Sequence, residues 1–175
     1  MNIDDGKGRG SSVSVSLDNR LEVSSRNASR ATYVSRDTGQ TYSWSAAKNI
    51  DATDTILLVC NNSTTKLLYI EKIIIGTDTA TRFTVHSPAY PTLAGSVIVG
   101  TNDNRLSGNL AEAVAYEDET GNTQANVLHQ GMIVAGDMVD LIIDGRIILG
   151  FHQCIAVDIV TEPTMVTCTI VGWFE

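Results

Sequence analysis

The hydrophobic positions of this chain fall into short runs, and the densest pair sits near the middle. Ile56-Leu57-Leu58-Val59-Cys60 and Leu67-Leu68-Tyr69-Ile70-Glu71-Lys72-Ile73-Ile74-Ile75 flank the polar stretch Asn61-Asn62-Ser63-Thr64-Thr65. Two β-branched runs around five small polar residues predict an antiparallel hairpin with a five-residue loop. The second run is apolar on both faces, with Leu67, Tyr69 and Ile73 on one and Leu68, Ile70 and Ile74 on the other. A strand of that kind needs cover on both sides, so the pair is expected at the centre of a sheet. One face should meet an opposing sheet, and the other should be covered by residues 42–44 or by a neighbouring subunit.

Period-two alternation continues through most of the chain beyond this pair. Residues 79–87 place Phe83 and Val85 on one face and Arg82, Thr84 and His86 on the other, until Pro88 removes a ladder donor. Residues 95–101 supply another strand. Residues 138–144 and 146–151 flank Asp144-Gly145, the strongest short hairpin signal, with Val139, Leu141 and Ile143 opposite Asp140 and Asp144. Residues 154–161 point Ile155, Val157 and Ile159 inward, and residues 164–174 do the same with Val166, Cys168 and Ile170. The stretch 102–129 departs from this pattern: Leu106, Leu110 and Val114 recur at helical spacing, and Glu117-Asp118-Glu119-Thr120-Gly121-Asn122 reads as a loop tip. About eight short strands joined by turn chemistry predict an all-β fold, a jelly-roll-like two-sheet β-sandwich with an extended N-terminal arm.

The arm is assigned to residues 1–50 and the sandwich to 51–175. Residues 1–19 are rich in Gly and Ser, with few large apolar side chains, and are expected to be extended or disordered. Further on, Arg36-Asp37-Thr38-Gly39-Gln40 has the composition of a hairpin tip between strands at 31–35 and 41–45. Tyr42 and Trp44 would share one face of the second strand.

A chain of 175 residues suffices for one self-supporting core. Cys60, Cys154 and Cys168 are widely spaced, each in a strand-like run, and are expected as buried thiols that behave as small hydrophobes. No apolar run reaches the ~20 residues that span a bilayer, and the first residues lack the apolar segment of a signal peptide, so neither a membrane nor the secretory route is expected. The net charge of −8 is uneven. Residues 1–48 hold seven basic side chains against five acidic ones, whereas the remainder holds five against fifteen. An acidic body disfavours nucleic acid, whose phosphates need neutralising. The arginine-bearing leader suggests a tether to an acidic surface.

Reactive chemistry is sparse. There is no Gly-x-Ser-x-Gly elbow, and His86, His129 and His152 stand in separate segments. His152 and Cys154 could sit on one strand face, but zinc requires three or four ligands and the sequence offers no partner pair. Asp140 and Asp158 could serve as paired carboxylates, though the solvated face of amphipathic strands is the simpler reading. Gly6-Lys7-Gly8-Arg9-Gly10 lacks the flanking strand and helix of a phosphate loop. Trp44 and Trp173 could stack on sugars, yet lone Trp residues at strand ends more often anchor cores or interfaces. No enzyme, metal or cofactor is expected.

Several stretches together carry a resemblance: Ser24-Ser25-Arg26-Asn27-Ala28-Ser29-Arg30, Thr38-Gly39-Gln40-Thr41-Tyr42-Ser43-Trp44, the central apolar pair with its Asn-Asn-Ser-Thr-Thr tip, and the terminal Ile170-Val171-Gly172-Trp173-Phe174-Glu175. From about Arg20 to Glu175 the chain resembles small virion accessory proteins of tailed bacteriophages, especially capsid decoration or cement proteins. The resemblance implies a compact β domain, often a homotrimer, assembled in the host cytoplasm and seated on the capsid surface at capsomer junctions, where it reinforces the shell. It carries no catalytic residues. The expected partners are the major capsid protein and other copies of the chain. Arg20, Arg26, Arg30, Arg36, Tyr42 and Trp44 are the expected contact residues, because Arg and aromatics dominate interface hot spots. The alternative is a host- or glycan-recognition module of a tail or head fibre, working through residues 102–129 and the loop tips.

Overall fold

The computed structural model describes residues 2–4, 12–15, 21–22, 29–49, 55–90, 95–119, 122 and 124–175. Near the N-terminus, β1 (Asn2–Asp4), β2 (Ser12–Val15) and β3 (Leu21–Glu22) pair antiparallel as a small sheet of their own, in the order β1-β2-β3. Short strands therefore stand within the stretch expected to be extended or disordered.

The body is a two-sheet sandwich, and its topology is a jelly roll. Its strands are β4 (Thr41–Lys48), β5 (Thr55–Asn61), β6 (Leu68–Thr77), β7 (Thr81–His86), β8 (Ser96–Ile98), β9 (Thr101–Asn102), β10 (Ala113–Glu119), β11 (Val127–Ile133), β12 (Met138–Leu149), β13 (Cys154–Ile159) and β14 (Val166–Phe174). One sheet has the order β11-β7-β13-β5-β10-β8 and the other β12-β6-β14-β4-β9. The antiparallel pairs β4/β14, β5/β13, β6/β12 and β7/β11 are nested, like one long hairpin wrapped so that alternate pairs fall in alternate sheets. Strands β8–β10 are inserted at the tip of that hairpin, between β7 and β11.

This topology corrects the central hairpin. Both runs do lie away from sheet edges, but β5 and β6 belong to different sheets, and residues 62–67 arch from one to the other. All seven residues of β5 are buried. Leu57 and Val59 face the core between the sheets, while Leu58 and Cys60 form a second apolar cluster with Cys154 and Ala156 on the outer face. Two buried faces are what the apolar run required. The inward residues of β6 are Leu68, Ile70, Ile73 and Ile75, because the register slips at Glu71. Lys72 pairs with Val171 and Ile70 with Gly172, so Glu71 is an extra residue that reverses which face each later side chain takes.

Residues 30–38 fold as a helix, not a strand. In α1 (Arg30–Thr38), Ser29 caps the N-terminus by accepting from the Thr32 N–H at 3.2 Å. Gly39, at φ 61°, ends the helix by donating to the Val34 and Ser35 carbonyls. Ala31 and Val34 pack on Trp173, whose ring stacks on Tyr69 at 5.4 Å. The helix thus covers the outer face of β6 and β14, the role expected of residues 42–44. Tyr42 and Trp44 instead point between the sheets, beside Phe174. Because β4 pairs with β14 over eight residues, the sandwich begins at Thr41 and a division at 50/51 would cut through its core.

Three further expectations are overturned. No helix runs through Leu106 and Leu110, which are 98% and 82% exposed, and Val114 lies in β10. Side-chain amides hold that loop in another shape: Asn104 donates to the Ser35 carbonyl, Asn102 to Gly39 and Asn109 to Thr38, at 2.7, 2.8 and 2.8 Å. These bonds satisfy the carbonyls at the end of α1 and compete with helix formation in the loop itself. Of the expected loop tip at 117–122, Glu117-Asp118-Glu119 lies in β10, while Thr120 and Gly121 lie outside the described residues. Asp144-Gly145 does adopt paired positive φ, 53° and 72°, but the chain does not reverse there. Ile142 pairs with Lys72 and Ile147 with Ile70, leaving residues 143–146 as a wide bulge opposite Glu71 in one continuous strand. Pairing of both halves with β6 overrides the local turn signal.

The cysteine reading is corrected as well. Cys60 and Cys154 are directly opposed on β5 and β13, their Cα atoms 4.0 Å apart, and form a disulfide. Strands distant in sequence bring them together, so spacing along the chain could not reveal it. Cys168 is a buried free thiol, and burial pushes its pKa up.

Candidate functional site

The residues expected to make contacts do not gather in one place. Arg20 and Arg26 lie outside the described residues. Tyr42 and Trp44 are 1% and 0% exposed and belong to the core, which leaves them no surface to offer a partner. Arg30 and Arg36 are exposed on α1, with their guanidinium carbons 5.2 and 5.6 Å from the Tyr33 ring centroid. Arg30 pairs with the Glu175 carboxylate, with Nε to Oε2 at 3.0 Å, and Arg36 pairs with Asp37 at 2.6 Å. The hydrogen bond to Arg36 holds the Asp37 carboxyl below its ordinary range. Beside them runs an open groove of about 700 Å³ between α1 and residues 103–106, where Arg36, Arg105, Glu71 and Asp103 mix both signs of charge.

The polar groups buried in the sandwich hold strands together. His86 is fully buried, and its Nε2 lies 2.8 Å from Asp158 Oδ2, close enough for an ion pair but outside good hydrogen-bond geometry. Asp158 Oδ1 accepts from the Thr55 hydroxyl at 2.8 Å, and Thr55 Oγ1 accepts from the Asn122 amide at 3.0 Å. The carboxylate therefore stands between the imidazole and the hydroxyl. In a nucleophilic triad the imidazole must touch the hydroxyl, so this order cannot activate Thr55. It joins β5, β7 and β13 through their polar side chains. Thr84 and His86, on the face of β7 opposite Phe83 and Val85, are both buried.

Other candidate sets are dispersed. Cys154 is consumed by the disulfide, and His152 sits on an exposed turn at φ 60°. Asp140 and Asp158 lie in different sheets. Trp173 is buried under α1. Among the described residues, no group of three or more His, Cys, Asp or Glu side chains could hold a metal ion.

The surface feature that stands out is an edge. β11 and β12 end their respective sheets on the same side of the sandwich, and a short turn joins them. They are seven and twelve residues long, while the opposite edges, β8 and β9, have only three and two. Met132, Met138 and Ile142 are each more than two-thirds exposed, with Val134 at 65% and Leu128 and Ile148 at nearly half. Asp140, Asp144 and Arg146 are exposed among the apolar residues. The cause is readable in β12: Val139, Leu141, Ile143 and Ile147 pack on the core, while the opposite phase also carries Met138, Ile142 and Ile148. Apolar residues in both phases were the available signal, and the Asp-Gly turn reading obscured it. Long apolar edges of this kind are templates for pairing with another chain unless they are blunted or covered. No protein-family model, curated protein or solved structure matches this chain, and its own geometry is what bears on its function.

Proposed function

We propose that this chain is a structural virion protein, a capsid decoration or cement protein that binds and stabilises a bacteriophage head shell and catalyses no reaction. The observation that carries the reading is the long apolar edge formed by β11 and β12. Large apolar side chains on both outer faces of this edge, Met132 on one sheet and Met138 and Ile142 on the other, interspersed with Asp140, Asp144 and Arg146, suit a protein partner that clasps the edge. On this reading the edge supplies the main contact with the major capsid protein or with neighbouring copies in a homotrimer. Arg30 and Arg36 stay at the rim, and the N-terminal segment adds contact area. Burial of Tyr42 and Trp44 moves the expected hot spot from those residues to Met132, Met138 and Ile142. The Cys60–Cys154 disulfide is compatible with a particle that leaves a reducing cytoplasm and persists outside it.

Incubation of purified protein with heads that lack it, followed by sedimentation, tests the proposal. The wild-type chain should co-sediment, and Met132→Asp with Ile142→Asp should weaken binding at least tenfold, since two apolar anchors are lost from a desolvated interface. Circular dichroism verifies that the variant is folded. Equal binding by the variant, or no binding by the wild type, would overturn the assignment.

A further inference from the structure

One end of the sandwich holds a second surface feature, at the turn that follows β12. Phe151 and His152 occupy the two central positions of the turn Gly150–Gln153, closed by the Gln153 N–H donating to the Gly150 carbonyl at 3.0 Å. Both side chains are exposed, and His152 adopts the left-handed backbone conformation at φ 60°. Its imidazole lies between two other rings, with centroids 3.7 Å from Phe151 and 4.3 Å from Tyr90. Phe151 is 49% exposed and Tyr90 38%. The result is a cluster of three rings at the surface, with His152 stacked on Phe151 and tilted against Tyr90.

The cluster rests on a rigid base. Asn61, itself fully buried, accepts from the His152 N–H at 2.8 Å, donates its own N–H to Gln153 and donates its side-chain amide to the Leu149 carbonyl. The Gly150 N–H donates to the Gln153 side chain at 2.7 Å. The disulfide ties the next residue, Cys154, to Cys60. His152 is thus a non-glycine residue in a rarely populated conformation, held in place by backbone bonds beside exposed rings.

On the other side of Asn61 the surface turns polar. Ala113 of β10 pairs with Asn61, and the Asn62 N–H donates to the Glu112 carbonyl. A groove of about 310 Å³ there is lined by Asn62, Thr64 and Glu112 among others. Hydrogen bonds from Lys66 and Ser63 keep the Glu112 carboxyl below its ordinary range, and so ionised as an acceptor. Because β13, β5 and β10 are consecutive neighbours, the aromatic turn and Glu112 stand about two strand spacings apart, roughly 10 Å.

We propose that Phe151, His152 and Tyr90 form a carbohydrate-binding platform in which the outward face of Phe151, backed by His152 and Tyr90, takes the C–H face of a pyranose ring, with the hydroxyls of a linked second sugar reaching Asn62, Thr64 and Glu112. An aromatic face is electron-rich and accepts the weakly positive C–H groups along one side of a pyranose, while the ring's hydroxyls need amide, hydroxyl and carboxylate partners beside it. An exposed aromatic face next to a polar groove provides both. The preformed turn lowers the ordering cost of binding. This site would act whether or not the chain is attached to a shell.

The test uses the full chain on an array of mono- and disaccharides, with saturation-transfer NMR on whatever binds. Saturable binding to at least one pyranoside is expected, with saturation passing to ring C–H protons. Phe151→Ala and Tyr90→Ala should each weaken it at least fivefold while leaving the melting temperature and co-sedimentation with heads unchanged. The proposal is overturned if no sugar binds saturably, or if both variants bind as the wild type does. It is equally overturned if Phe151→Ala abolishes head binding with no sugar bound, because the cluster would then be a protein contact.

Discussion

Reducing the Cys60–Cys154 disulfide should destabilise the protein strongly without changing its fold. The two cysteines are 94 residues apart in sequence, yet face each other in adjacent strands that are buried on both sides. In the native state, therefore, β5 and β13 remain paired whether or not the sulfurs are bonded. The loss falls on the unfolded chain, which regains the freedom of a loop of that length. The chain-entropy relation puts this at about 4.7 kcal/mol for a loop of roughly 100 residues. For a domain of this size each kcal/mol moves the melting temperature by about 2–4 °C, so reduction should lower it by roughly 10–20 °C. The assay is thermal unfolding followed by circular dichroism with and without a phosphine reductant. Thiol counting under denaturing conditions should find one thiol before reduction and three after it. Burial raises the Cys168 pKa and shields its sulfur, so that thiol should label only on unfolding. A shift below about 3 °C, or three titratable thiols in the untreated protein, would refute the reasoning.

Truncation separates the N-terminal segment from the sandwich. Removing residues 1–28 should leave a cooperatively melting protein, whereas removing residues 1–45 takes away α1 together with Tyr42 and Trp44 and should abolish the cooperative transition. Loss of one buried Trp side chain alone costs about 3–5 kcal/mol, so a well-folded 46–175 fragment would contradict the assignment of β4 to the core. Glu71 offers a pH test. Its Oε2 is buried without a hydrogen-bond partner, and burial, then the charge of Asp144, raises its pKa. A carboxyl whose folded pKa is raised costs stability when ionised, and that cost disappears as pH falls through the raised value. Glu71→Gln should accordingly stabilise the protein at pH 7, and the advantage should shrink in denaturant titrations at lower pH. A variant less stable than the wild type at pH 7 would count against this.

Much of the candidate surface was invisible to pattern reading for identifiable reasons. Tyr42 and Trp44 look alike as interface anchors and as core residues, since both settings reward large aromatics; only the pairing of β4 with β14 decides between them. The exposed apolar edge arises because β12 ends its sheet, and edge position is a property of the whole topology. The aromatic cluster joins Tyr90 to Phe151 and His152, three residues brought together by two loops at the same end of the sandwich.

The residues by themselves determined that this is a β-sandwich. Alternating apolar positions in 81–86, 138–143, 154–159 and 166–170 can bury one face only on a pleated strand, and that periodicity is a local property of the chain. The tertiary structure alone decided which strands pair. It sent β5 and β6 to different sheets, made Asp144-Gly145 a bulge, and brought Cys60 to Cys154. It also favoured α1 over a strand, because a helix capped by Ser29 and Gly39 could lay Ala31 and Val34 on Trp173. Each of those outcomes depends on contacts between segments far apart in the chain, where burial and ladder hydrogen bonds outweigh the smaller preferences of any short stretch.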